Sequence, residues 1–65
     1  MQLDQNLVNN EVERLEILFA EKGYDKEERS WFIESKYHDA KKNNDLVLLK
    51  VCEILLDKID GDNYE

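Results

Sequence analysis

Residues 46–59 read LVLLKVCEILLDKI, and ten of these fourteen positions are apolar. The polar exceptions are Lys50, Glu53, Asp57 and Lys58. Lys50, Glu53, Asp57 and then Asp60 step by three, four and three, so a helical period sets them on one narrow line. A surface helix normally shows a single apolar stripe; one that is apolar around most of its circumference is surrounded by partners. A chain of 65 residues has little else to surround it with. The stretch predicts a central helix whose apolar surface exceeds what one copy of the chain covers.

Punctuation on either side sets the rest of the fold. Asp45 suits an N-cap, and Asn43-Asn44 before it supplies a turn. Lys41 and Lys42 suit a helix C-terminus, and Phe32, Ile33, Tyr37 and Ala40 are the apolar positions leading up to it. That helix begins at Asp25, which has Glu28 three residues on, as in a capping box, and Arg29 at i,i+4 as an ion-pair partner. Ahead of it, Val8, Val12, Leu15 and Phe19 step by four, three and four, with Leu7 and Leu18 widening the stripe. Asp4 caps this first helix, Gly23 fits its left-handed stop, and Tyr24 folds back on Phe19. The expectation is an all-α domain with helices near 5–22, 26–42 and 46–60. Gly61 lies just past the last helix, in a frayed tail over 61–65. Short connections make the three helices antiparallel neighbours, up-down-up, with the third central.

A domain this small buries only about 60% of the surface its unfolded chain exposes, and small domains compensate with disulfides, metals or oligomerisation. One cysteine excludes an internal disulfide, and no His/Cys cluster offers a zinc site. Oligomerisation is the route left open: a homodimeric bundle seamed by Leu48, Val51, Cys52, Leu55, Leu56 and Ile59, together with the first helix.

Sixteen acids against nine bases give a net charge of −7, which would repel both a nucleic-acid backbone and an anionic membrane. Residues 1–24 and 45–65 carry the excess, whereas 25–44 is neutral. The opening Met-Gln-Leu-Asp-Gln-Asn lacks the basic and apolar regions of a secretory signal, and no apolar run could cross a bilayer. With its single thiol, the chain is expected in the reducing cytoplasm.

Candidate chemistry is sparse. Cysteine catalysis needs an activated thiolate beside a base, yet Cys52 shares its helix side with Leu48, Leu49, Leu55, Leu56 and Ile59, where it acts as a small hydrophobe. His38 with Glu34 and Asp39 has the donors for a divalent ion, but Glu34 and His38 at i,i+4 are equally a solvated pair. Gly23 and Gly61 are isolated, so no phosphate-cradling loop exists, and no calcium loop is present. No enzyme, metal or cofactor is predicted, and no motif carries a resemblance to a named family.

Trp31 stands out. It lies nearly opposite Ile33 and Ala40, and with Ser35, His38 and Lys42 it forms a face pointing away from the intrachain core. Tryptophan is enriched at binding hot spots. The plain alternative has Trp31 folding over the Tyr24–Asp25 connection to cap the bundle end. Glu11 interrupts the edge Leu7, Leu15, Leu18 and is read as a rim carboxylate, with a buried register-setting pair as the alternative. Ile17 lies outside the stripe. The expected function is a small acidic protein–protein interaction module, regulatory or inhibitory, docking on a larger cytoplasmic protein. The rival is a nucleic-acid mimic, with Glu13, Glu16, Glu21, Glu53, Asp57 and Asp60 as a partial array interrupted by Arg14 and Lys50.

Overall fold

Local stop and start signals divide the chain into three helices. In the computed structural model, which describes residues 4–62, these are α1 (Gln5–Lys22), α2 (Lys26–Asn43) and α3 (Leu46–Asp62), with no strand among the described residues. Asp4 Oδ1 accepts from the Asn6 and Leu7 amides at 3.0 and 3.4 Å and so opens α1. Gly23 closes it at φ 68°, with Gly23 N–H donating to Ala20 O and Tyr24 N–H to Phe19 O. This pair of bonds is a Schellman stop, and the Tyr24 ring packs 6.0 Å from that of Phe19.

Asp25 and Glu28 then form a reciprocal capping box, each carboxylate accepting from the other's amide at 2.8 and 3.0 Å. With its carboxylate on the Glu28 amide, Asp25 does not ion-pair with Arg29; Arg29 Nε donates to the Asp25 carbonyl at 3.4 Å instead. α2 runs to Asn43 and ends on Asn44, held left-handed at φ 60°. Asp45 Oδ1 accepts from the Leu48 amide and opens α3. Gly61 is not a stop. It has no positive φ, and α3 continues through it to Asp62. The rest of the expected tail, 63–65, lies outside the described residues.

α3 packs against both other helices, while α1 and α2 meet only weakly. The core joins Val8, Val12, Leu15 and Phe19 of α1, Ile33 of α2, and Val51, Cys52, Leu55 and Ile59 of α3. Phe19, Tyr24 and Phe32 close the end of the molecule where α1 turns into α2. On the other flank of α3, Lys58 Nζ donates to Glu16 Oε2 at 2.9 Å.

One expectation changes here. Val51, Cys52, Leu55 and Ile59 were assigned to a seam between two copies, but each is buried within the single chain. Leu48 and Leu56 are half-buried against the same core. α1 and α2 cover Val51, Cys52, Leu55 and Ile59 without help, which leaves Leu48 and Leu56 as the partly open members of that set. Besides Trp31 on α2, the large apolar side chains that stay outside are Leu46 on α3 and Leu7 and Ile17 on α1. Leu7 therefore does not widen the buried stripe, whereas Leu18 does.

Candidate functional site

The second turn of α2 carries the most exposed large apolar side chain among the described residues. Ile33 is buried at 1% exposure, which points the same side of α2 into the core and turns Trp31 outward, at 80% exposure. Capping at Asp25 and at Asn44 fixes both ends of the helix, so the indole stands on a firm base. Ser35, His38 and Lys42 are exposed as well. The four residues assigned to an outward face thus share the exposed side of one helix.

Trp31 does not fold over the preceding connection. Phe32 takes that place, with its ring centroid 6.3 Å from Tyr24 and 5.4 Å from Phe19. Among the described residues no ring, cation or hydrogen-bond partner meets the indole. Shallow hollows lie on its two sides. One is lined by Glu27, Glu28, Ser30 and Glu34, and the other by Tyr24, Glu28, Phe32 and Ser35. The second encloses about 440 Å³ and has mostly apolar walls.

Phe32 links this hollow to a groove of about 320 Å³ where α1 and α2 stand apart. Leu15, Leu18, Phe32 and Leu48 floor that groove, and Glu11, Arg14 and Lys36 rim it. Glu11 is a half-buried rim residue whose Oε2 accepts from Arg14 Nη2 at 2.7 Å. That hydrogen bond, then the Glu11 charge, raises the Arg14 pKa above its ordinary value. The sequence pattern missed the groove, since periodicity within each helix is silent on the gap between two helices. Sequence analysis reads Tyr24 only as part of the α1 stop and Phe32 only as an apolar position of α2, and their place beside Trp31 comes from the packing of the first connection.

His38 and Cys52 occupy unrelated settings. His38 is exposed and lies edge-on to Tyr37, centroids 6.5 Å apart. Cys52 has no exposed surface; burial pushes its thiol pKa up, the Lys36 charge lowers it, and Asp45 raises it. A buried thiol in its protonated form is a poor nucleophile. Among the described residues no three His, Cys, Asp or Glu side chains gather where a metal could be held. No described helix is long and apolar enough to cross a membrane.

The expected carboxylate array is divided by its own ion pairs. Glu16 is bonded to Lys58, and Glu53 lies 3.9 Å from Lys50. Comparison with models of protein families, with curated proteins and with solved structures finds no match to the chain.

Proposed function

We propose that this chain is a small non-enzymatic interaction module that docks on a larger cytoplasmic protein through the α2 face centred on Trp31, as a regulator or inhibitor. One observation carries the reading: a tryptophan 80% exposed and without a partner among the described residues, on a helix capped at both ends. Solvating an indole gives up the burial and the N–H hydrogen bond that tryptophan usually finds, and binding recovers both. The connections Gly23–Asp25 and Asn44–Asp45 are short, which favours an up-down-up bundle of antiparallel neighbours around α3. A homodimer would need a seam other than the buried side of α3, so the single chain is taken as the docking unit.

The test compares capture from the native cell extract by the wild-type chain and by Trp31→Ala. That substitution leaves the charge at −7, so it separates apolar docking from an acidic decoy. Docking through the indole loses its partner with Trp31→Ala and tolerates raised salt. A decoy would keep its partner through the substitution and lose it as screening grows. Capture unaffected by Trp31→Ala overturns the reading.

A further inference from the structure

We infer that the Trp31 face receives an arginine-bearing segment of a partner protein, an inference that rests on the docking role of Trp31 and names the chemistry it recognises. α2 treats its three aromatic residues differently. Lys36 Nζ lies 5.5 Å from the Phe32 ring centroid, and Lys41 Nζ lies 5.6 Å from that of Tyr37. Both lysines stand four residues after their ring, where the helix brings side chains together. The fourth residue after Trp31 is Ser35, which has no charge to offer. Indole is the strongest cation acceptor of the three rings, and among the described residues it alone lacks a cation.

The charges around the indole have the complementary sign. Glu27 and Glu34 stand four residues before and three after Trp31, and neither makes an ion pair among the described residues. Glu28, three before, has its carboxylate on the Asp25 amide. At about 100° per residue, Lys26, Arg29 and Lys36 fall on the opposite half of α2, while Lys41 and Lys42, which do not, stand ten and eleven residues along the helix from Trp31. An incoming guanidinium therefore meets a bare aromatic face flanked by two carboxylates without internal counterions. Arginine suits this better than lysine, because its plane stacks on the ring while its fork bonds a carboxylate.

Trp31 is the only tryptophan, so its emission reports on this site alone. The full chain is titrated with a short peptide alternating arginine and glycine, and with a counterpart in which glutamine replaces arginine. The arginine peptide should change the emission saturably, and the glutamine peptide should not. Two variants locate the contact. Ser35→Lys supplies a cation from within, as Lys36 does for Phe32, and should weaken peptide binding about threefold or more. Glu27→Gln with Glu34→Gln should weaken it similarly, whereas Glu13→Gln with Glu21→Gln, the same charge change on α1, should leave it nearly unaltered. Equal weakening by the two glutamine pairs would reduce the effect to net charge and overturn the site. An equal response to both peptides, or to neither, overturns the cationic partner while leaving Trp31→Ala capture to decide the docking reading separately.

Discussion

The Phe19 and Phe32 rings meet edge to face, centroids 5.4 Å apart and planes at 83°, across a pair of helices that otherwise scarcely touch. Edge-to-face contact sets the positive rim of one ring against the negative face of the other. Phe19 is 5% exposed and also reaches Tyr24. Phe19→Ala should cost about 3–5 kcal/mol. A domain of this size holds only about 0.05–0.15 kcal/mol per residue, so urea unfolding followed by circular dichroism should lose its cooperative transition. Phe19→Leu should keep one at a lower midpoint.

Leu55 tests the position of α3. It is 2% exposed, in the core that both other helices share. Leu55→Asp buries an unpaired carboxylate and should abolish the folded state, whereas Glu53→Ala on the exposed side should be nearly silent. A helical, cooperatively unfolding Leu55→Asp chain would contradict the shared-core assignment. Because the buried side of α3 is covered from within, light scattering across a concentration range should return 7.8 kDa. A mass of twice that value would place a seam on the half-buried flank of Leu49 and Leu56.

The two glycines should respond to alanine with opposite signs. Gly23 has φ 68°, and although the space around it is open, a Cβ there is strained. Gly23→Ala should therefore destabilise by about 1 kcal/mol. Gly61 sits in helical backbone with equally open surroundings, so Gly61→Ala should stabilise by up to about 1 kcal/mol. Paired urea midpoints at constant m-value decide between them.

Cys52 gives the fold a dependence on alkali. Its thiol pKa is raised in the folded chain, chiefly by burial. The native state therefore holds this proton at pH values where the unfolded chain has released it. The Cys52 contribution is fully present below the unfolded value of about 8.5 and is lost as pH climbs toward the folded one. Stability should fall over that range in the wild type, and the fall should be shallower in Cys52→Ala. Thiol labelling at pH 8 should be slow in buffer and fast in denaturant.

Trp31→Ala should leave unfolding within about 0.5 kcal/mol of the wild type, since the side chain covers little of the core. A large fall in the thermal midpoint would instead assign the indole a structural role.

Local chemistry was the most readable part of this chain. Asp4, Gly23, Asp25 and Asp45 act within four residues of themselves, through hydrogen bonds whose geometry depends on little beyond the helix end. Gly61 misled because residue type alone suggested a stop: its φ is not positive, and α3 runs through it to Asp62. The extent to which α3 is covered was not readable, because a helical period measures how much of a helix is apolar and not where its neighbours lie. The outward direction of Trp31 followed from its spacing to Ile33. Its missing cation emerged only once Lys36 and Lys41 were seen over their own rings.

The dependence of α1 and α2 on α3 sets a schedule for the chain's birth. Ribosomes deliver everything ahead of Leu46 first, and those two helices have almost nothing to hold each other by. Until α3 follows, Val8, Val12 and Ile33 lack the side chains they are buried against. Closure of the core therefore waits on α3, which supplies Val51, Cys52, Leu55 and Ile59 to it.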